Sequence, residues 1–147
     1  MVGTNTARTD NPSLTTRNWA GNNPLRITID KNLTLPQNLH ILDGAVPTLI
    51  FTETSIKSTK GISYIYQQHI TVSKILQELY NRNILSVIVE GGSILLQSFI
   101  DSGLWDEARV FTGQGRFGDG VAAPDFRWNS LKTETIGDSR LDWFYNK

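Results

Sequence analysis

The stretch ILSVIVEGGSILLQSF, residues 84–99, decides the predicted fold. Residues 84–89 are almost all apolar and mostly β-branched, without the polar alternation of a half-exposed strand. Such a run is typical of a strand that is covered on both faces of a parallel sheet. Residues 90–93 are polar and flexible, and residues 94–100 have a helical pattern that ends at Gly103. The stretch therefore predicts a buried strand, a glycine turn and a helix.

The glycine turn is a candidate anion site. A strand that passes through Gly91 and Gly92 into a helix directs free backbone N–H groups at the carboxyl edge of a sheet. Neither the Rossmann spacing nor the P-loop spacing of glycines occurs here. The two glycines are equally consistent with a tight turn where helix and sheet pack closely, and the sequence leaves both explanations open. Because a carboxylate at the end of an apolar strand is costly to bury alone, we expect Glu90 to have a partner or a ligand.

Composition excludes several classes of protein. The chain has 147 residues, which is the size of one ordinary domain, and its 14 basic residues balance 14 acidic ones. Since neither charge is clustered, we expect no nucleic acid or anionic membrane partner. The chain has no cysteine, and His40 and His69 lie far apart, so we expect no metal. No apolar run approaches a membrane span, and the prediction is a cytoplasmic protein.

Local patterns predict the remaining elements. Apolar residues at helical spacing place an amphipathic helix at about residues 71–82. Strands are predicted at residues 25–30 (with one wetter face), 47–52, 62–66 and the later part of 105–112, and a terminal hairpin joins 131–136 to 141–145. The alternation of strands and helices implies parallel crossovers in one sheet. The predicted fold class is α/β, a mostly parallel central sheet with flanking helices and an antiparallel C-terminal hairpin.

The first residues predict the end of a strand followed by polar local structure. Residues 1–3 are typical of a strand end, residues 4–9 of a short helical turn, 10–13 of a proline-containing turn and 14–17 of an extended segment. Taken alone, Asp10 is explained as a turn-forming residue and Arg17 as a solvated charge. The glycine-rich residues 113–129 predict a loop, which is either functional or a plain surface excursion.

Two of these stretches carry a resemblance to a known family. VGTNTARTDNPSLTTR (residues 2–17) and SVIVEGGSILLQSFIDSGLWDEARVF (residues 86–111) resemble the reductase domain of the bifunctional riboflavin-biosynthesis deaminase/reductase. The fold of that domain is similar to dihydrofolate reductase. The first stretch resembles the family's Val-Gly strand end, Asp-x-Pro turn and arginine, and the second its Val-Glu-Gly-Gly run into a helix. The likeness covers essentially the whole chain.

The resemblance implies NADPH-dependent reduction of the ribosyl group of 5-amino-6-(5-phosphoribosylamino)uracil to the ribityl group, with nicotinamide donating the hydride. It identifies no catalytic side chain. By position, Leu14, Arg17 and Glu90 match residues that contact substrate. The positions that match NADPH contacts lie in two segments: Thr6 and Asp10 near the start, and Gly92, Ser93, Ile94, Leu95, Leu96, Gln97 and Ser98 at the glycine turn.

The chain also departs from the family pattern. The family's domain has a first strand and helix ahead of the segment that starts here, so we expect residues 1–147 to form a single reductase-type domain lacking both. Lys31 stands where some relatives have a small hydroxyl residue, so it receives no predicted role. A zinc-dependent deaminase domain is a predicted upstream partner, and an open sheet edge predicts a homodimer. The alternatives are a reductase of another pyrimidine or pterin substrate and a non-catalytic remnant.

Overall fold

A computed structural model describes residues 1–116 and 118–146. Three helices and six strands are present in these residues. In chain order they are α1 (Thr4–Asp10), β1 (Arg26–Ile29), β2 (Thr48–Thr52), β3 (Ile62–Tyr66), α2 (Val72–Asn81), α3 (Ser93–Ser102), β4 (Glu107–Thr112), β5 (Lys132–Ile136) and β6 (Ser139–Tyr145). A short 3₁₀ helix, His40–Leu42, lies between β1 and β2. The predicted α/β class and both long helices are confirmed.

The first sheet is parallel and has the order β1-β2-β3. In its register Arg26 pairs with Thr48, and Thr48 pairs with Ile62. Val2 extends the sheet beyond β1, because it forms parallel bridges to Thr28 on one side and Gly91 on the other. The predicted strand end at residues 1–3 is therefore confirmed as the link between β1 and the turn before α3.

Apolar layers cover both faces of this sheet. One core packs α2 and α3 against the strands and includes Ile27, Phe51, Ile75 and Leu95. The other lies on the opposite face and contains five buried residues, Val2, Ala7, Leu35, Leu39 and Ile41. Because both faces are covered, the wetter face predicted for residues 25–30 is wrong. The polar residues of that predicted face are all buried: Arg26, Thr28 and Asp30.

Arg26 is buried because every part of its guanidinium group has a partner. It is 1% exposed. Its nitrogen atoms donate to four oxygens at 2.7–2.9 Å, those of Thr48 Oγ1, the His40 carbonyl, Asp43 Oδ1 and the Val46 carbonyl. The hydrogen bond from Arg26 lowers the pKa of the Asp43 carboxyl group, and a second bond from the Ala45 N–H acts in the same direction. Arg26 thus ties the connection before β2 to the sheet.

Residues 84–89 do not form the buried strand that was predicted. No strand is assigned to them, and Leu85 is 97% and Ile88 75% exposed. Backbone pairing to residues 1–3 begins only at Ile88, whose carbonyl oxygen accepts from the Met1 amino group at 2.6 Å. In the described residues, positions 85–87 have no backbone partner. A strand forms through a paired ladder, so the apolar run alone does not produce one.

The second sheet is antiparallel, with the order β4-β6-β5. The predicted hairpin is confirmed as β5 and β6, and its turn uses Gly137 at φ +62°. The prediction that the strand at 105–112 belongs to the same parallel sheet is wrong, because β4 pairs antiparallel with β6. The predicted loop at 113–129 has no helix or strand among its described residues, and Phe117 lies outside them.

Residues 10–17 differ locally from the prediction. α1 continues through Asp10, and Asn11 ends the helix in the left-handed conformation at φ 43°. Leu14 is also left-handed, at φ 48°, so the segment from residue 14 is not extended at its first residue. Its side chain packs against the core of Val2 and Ile41, and burial there offsets a backbone cost of about 1 kcal/mol.

Candidate functional site

A large cavity lies where the parallel strands end. Its volume is about 1130 Å³. It is bounded by Ile29 at the end of β1, by Gly3 and Gly91 in the neighbouring chain segments, and by the first turns of α1 and α3. The carboxyl ends of parallel strands and the starts of the following helices are the usual ligand site of α/β sheets. The fold therefore places a cavity beside the glycine turn that the sequence predicted as a candidate site.

The first turn of α3 presents free backbone donors to this cavity. Gly92 is the N-cap residue, and no side chain caps the helix. Leu96 N–H donates to the Gly92 carbonyl oxygen at 3.1 Å, so the earlier N–H groups of Ser93, Ile94 and Leu95 have no partner within the helix. All five of these residues line the cavity. Such N–H groups, together with the positive end of the helix dipole, favour an anion.

Packing against α1 also requires a glycine at position 92. A Cβ atom on Gly92 would lie 2.8 Å from Thr6 Oγ1, closer than van der Waals contact permits. On Gly91 the same atom would lie 3.8 Å from Thr6, an ordinary contact. Neither glycine has a positive φ, so conformational freedom is not the reason. The close-packing explanation therefore applies to Gly92. The free N–H donors of α3 are a separate feature of the same turn.

Glu90 lines the cavity but is exposed, which differs from the expectation of a buried carboxylate. Its backbone N–H donates to the Met1 carbonyl oxygen at 3.0 Å. Its carboxylate has no hydrogen bond or ion pair in the described part of the chain. The expected protein partner of Glu90 is thus not found in the described residues. Residues 84–89, which were predicted to form a buried strand before Glu90, form no strand.

The structure brings most of the predicted site residues together. Two of the lining residues lie on α1, Thr6 and Asp10. The others lie at the glycine turn and on α3: Glu90, Gly92, Ser93, Ile94, Leu95, Leu96 and Ser98. Leu14 and Arg17 do not line it. Arg17 is exposed, in the segment that follows the left-handed Leu14. Their predicted substrate contacts stay predictions.

Gln97 faces the loop before β5 and lines a smaller adjoining cavity of about 440 Å³. Its Oε1 accepts from the Asp125 N–H at 2.7 Å, and its Nε2 donates to Asp101 Oδ1 at 2.7 Å and to the Asp125 carbonyl oxygen at 3.4 Å. These bonds hold the loop whose residues Ala122, Ala123 and Pro124 form a wall of both cavities. In this geometry Gln97 positions a wall of the site.

Three neighbouring residues were missed by the sequence analysis. Lys31 lines the cavity immediately after β1, and its Nζ lies 3.4 Å from Glu53 Oε1. Glu53 Oε1 also accepts from the N–H of Ile70, another lining residue, at 2.9 Å. That bond is the main cause of a lowered pKa of the Glu53 carboxyl group, and Lys31 adds to it. The position of Lys31 at a strand's carboxyl end was a signal that could have identified it.

Within residues 1–116 and 118–146, no group of three or more His, Cys, Asp or Glu side chains is arranged to hold a metal ion. Over the same residues, none of the helices has the length and apolar character needed to cross a bilayer.

The structure is an α/β domain with a cavity at the carboxyl ends of its parallel strands. The family model described as the RibD C-terminal domain matches residues 1–137, and the chain belongs to this family. The Thermotoga maritima diaminohydroxyphosphoribosylaminopyrimidine deaminase/5-amino-6-(5-phosphoribosylamino)uracil reductase is similar in structure. That comparison has a TM-score of 0.87 and 26% identity, over 99% of this chain and 44% of the other.

Curated relatives carry names from the same pathway. Riboflavin biosynthesis protein RibD of Bacillus amyloliquefaciens is 36% identical over 76% of this chain and 33% of its own length. The 2,5-diamino-6-ribosylamino-4(3H)-pyrimidinone 5′-phosphate reductase of Aquifex aeolicus is 34% identical over 75% of this chain and 54% of its own length. The chain thus spans about a third to a half of the relatives it matches.

Proposed function

We propose that the chain reduces the ribosyl group of 5-amino-6-(5-phosphoribosylamino)uracil to the ribityl group, with NADPH as the reductant, in riboflavin biosynthesis. The observation that carries the proposal is the cavity at the carboxyl edge of the parallel sheet, entered by the first turn of α3. Family membership and the names of the relatives support the choice of reaction.

The residues present fit a dinucleotide. The uncapped N–H groups of Ser93, Ile94 and Leu95 suit its diphosphate. Thr6 and Asp10 on α1 line the same cavity and supply hydroxyl and carboxylate groups for its sugar and amide hydrogen bonds. When bound, the reduced nicotinamide supplies a hydride to C1′ of the substrate's sugar.

The reaction needs orientation more than a protein nucleophile. As C1′ gains the hydride, its bond to the ring oxygen breaks and that oxygen takes a proton, so one hydride and one proton are consumed. Glu90, whose carboxylate has no protein partner in the described residues, accepts hydrogen bonds from the amino groups of the pyrimidine. Arg17, with its permanently charged guanidinium, binds the 5′-phosphate, and Leu14 contacts the substrate beside it.

A second substrate is favoured by the names of three relatives. The name of the Aquifex aeolicus reductase specifies the 2,5-diaminopyrimidinone phosphate, which differs from the uracil at C2. The two candidates are distinguished by following NADPH oxidation with each compound, with dihydrofolate as the pterin control. We expect turnover with one or both of the ribosylaminopyrimidine phosphates and none with dihydrofolate. A folded chain that turns over neither phosphate contradicts the proposal and leaves the non-catalytic alternative.

The role of Arg17 has its own test. Arg17→Ala is expected to raise KM with little change in kcat, because the phosphate is bound equally in ground and transition states. Arg82→Ala, at the end of α2 in a surface pair with Glu78, is the matched control. An unchanged KM in the Arg17 variant removes this residue from the substrate site.

Partners and location belong to the same proposal. We propose a cytoplasmic homodimer, supported by the exposed side chains of Leu85 and Ile88 beside backbone groups that lack partners. A zinc-dependent deaminase domain is the proposed upstream partner, since relatives of greater length are named deaminase/reductase. Sedimentation at micromolar concentration tests the dimer, and a monomer there contradicts it.

A further inference from the structure

Asn11 lies between the two groups of residues to which the proposed function gives roles. Asp10, immediately before it, lines the cavity, whereas Leu14 and Arg17 follow it and lie outside that lining. Asn11 ends α1 in the left-handed conformation, at φ 43° and ψ 53°, and so turns the chain away from the helix. The direction in which the chain continues from Asn11 therefore sets the position of Leu14 and Arg17.

Two contacts to His40 fix the conformation of Asn11. The backbone N–H of His40 donates to Asn11 Oδ1 at 2.7 Å, and the ring nitrogen Nδ1 of His40 lies 3.2 Å from the Asn11 carbonyl oxygen. Because a carbonyl oxygen only accepts, the second contact requires the proton on Nδ1. Ser13 Oγ lies 3.4 Å from the same nitrogen. Asn11 is thus joined to a residue 29 positions further along the chain.

His40 is itself held to the first sheet. Its carbonyl oxygen accepts from Nη1 of Arg26, the buried guanidinium group of β1, at 2.8 Å. Its neighbours Leu39 and Ile41 are buried in the core against which Leu14 packs. The sheet therefore fixes, through Arg26 and His40, the point at which the chain leaves α1.

The later part of the segment is held differently. The N–H and Oγ1 of Thr16 donate to Asn23 Oδ1 and to the Asn22 carbonyl oxygen, each at 3.0 Å. Residues 16–24 are all exposed, so these bonds join one surface segment to another and do not tie it to the sheet. Among the described residues, the polar contacts that connect this segment to the sheet are those between Asn11 and His40.

We propose that Asn11 and His40 are positioning residues, which hold Leu14 and Arg17 where the 5′-phosphate end of the substrate binds. The inference rests on the proposed function, because it acts through the two side chains that this function assigns to the substrate. The contacts exist before substrate binds. Their loss therefore adds an ordering cost to substrate binding and leaves binding of the dinucleotide at α3 unaffected.

Asn11→Gly tests the contact without straining the backbone. Glycine adopts a φ of 43° freely and removes the Oδ1 acceptor, whereas Asn11→Asp keeps an acceptor at that place. Asn83→Gly is the matched control, because Asn83 is also left-handed, at φ 58°, and its side chain has no hydrogen bond in the described part of the chain. Urea unfolding establishes that each variant is folded under the assay conditions.

We expect Asn11→Gly to raise KM for the ribosylaminopyrimidine phosphate by about 5-fold, with kcat and the dissociation constant of NADPH within about 2-fold of wild type. Asn11→Asp and Asn83→Gly should keep the wild-type KM. In Asn11→Gly the His40 amide, which loses its acceptor, should also exchange its hydrogen faster. His40→Ala should raise KM as well, and His40→Asn, whose amide N–H replaces the Nδ1 donor, should recover part of the loss.

A double variant shows whether the effect passes through Arg17. In the Arg17→Ala background, most of the increase in KM caused by Asn11→Gly should disappear, because coupled residues are not additive. The full increase in that background overturns the assignment, as does an unchanged KM in Asn11→Gly or equal weakening of substrate and NADPH. These outcomes leave the proposed function intact, since the wild-type chain still turns over the phosphate. If the folded wild-type chain turns over neither phosphate, the proposed function fails and the assignment fails with it.

Discussion

Strand β2 and residues 84–89 are similar in sequence and opposite in environment. Both are short, apolar runs rich in β-branched residues. β2 pairs with β1 on one side and β3 on the other, and all five of its residues are buried. Residues 84–89 pair only near their end, and Leu85 and Ile88 project into solvent. The difference shows that an apolar run becomes an interior strand only where both edges find partners.

The largest expected effect is on the free energy of unfolding, and it is tested by substituting one residue from each apolar run. Phe51 of β2 is 0% exposed in the core under α2 and α3, and Phe51→Ala should lower the free energy of unfolding by about 3–5 kcal/mol. Leu85→Ala removes an exposed side chain and should change it by no more than about 0.5 kcal/mol. Urea unfolding measures both. A large loss for Leu85→Ala would show that another surface covers this run, for example in the proposed dimer.

The next prediction concerns the polar contacts that hold β2 in place. Arg26→Met should destabilise the chain by about 3 kcal/mol, because several buried oxygens lose their donor while Asp43 loses its partner. Arg109→Met in β4 is the control: this arginine forms an exposed pair with Glu107 and lies over the Trp143 ring, and its loss should cost no more than about 1 kcal/mol. Comparable losses of unfolding free energy in the two variants would contradict the claim that buried Arg26 stabilises the first sheet more than exposed Arg109 stabilises the second.

The same pair predicts a dependence of stability on pH. Since Arg26 lowers the pKa of Asp43 in the folded chain, this carboxylate binds a proton more readily when the chain is unfolded. Its contribution is fully present above the ordinary carboxyl pKa of about 4 and is lost as pH falls through the lower folded value. Asp43→Asn should reduce this acid sensitivity when unfolding is measured between neutral and acidic pH. If the unfolding free energy of Asp43→Asn depends on pH as that of the wild-type chain does, the Arg26–Asp43 pair is not the source of the acid sensitivity.

A smaller effect is expected at the turn that follows the exposed run. Gly92→Ala should cost about 1–2 kcal/mol, because its Cβ would lie 2.8 Å from Thr6 Oγ1. Gly91→Ala, with a contact of 3.8 Å, is the matched control and should cost less. Adding Thr6→Ala to Gly92→Ala should recover part of the loss. No recovery in the double variant would mean that contact with α1 is not the reason for this glycine.

The smallest effect concerns the loop that Gln97 holds. Gln97→Ala should destabilise the chain by about 1 kcal/mol and speed hydrogen exchange at the Asp125 amide, whose acceptor is removed. Gln77→Ala on α2 removes a surface bond to Asn81 and should leave that amide unchanged. Unaltered exchange at Asp125 in the Gln97 variant would contradict its positioning role.

The sequence predicts which helices and turns form better than it predicts which residues come into contact in the fold. Helical periodicity identifies α2, and Gly103 marks the end of α3, because these signals are local. The burial of Arg26 depends on acceptors from three later segments, and the exposure of Leu85 depends on a missing partner, so neither follows from a short window. The glycine turn was predicted as a site from its position, but Lys31 needed the strand order that brings β1 to the same cavity.

The most direct test of the account is a calorimetric titration of the folded chain with NADPH, repeated with Gly92→Val and with Leu85→Ala. The central claim is that the cavity at the first turn of α3 binds the reduced dinucleotide. We predict saturable binding at one site per chain, strongly weakened in Gly92→Val and retained in Leu85→Ala. Absence of saturable binding to the folded wild-type chain, or equal binding by the Gly92→Val variant, would contradict it.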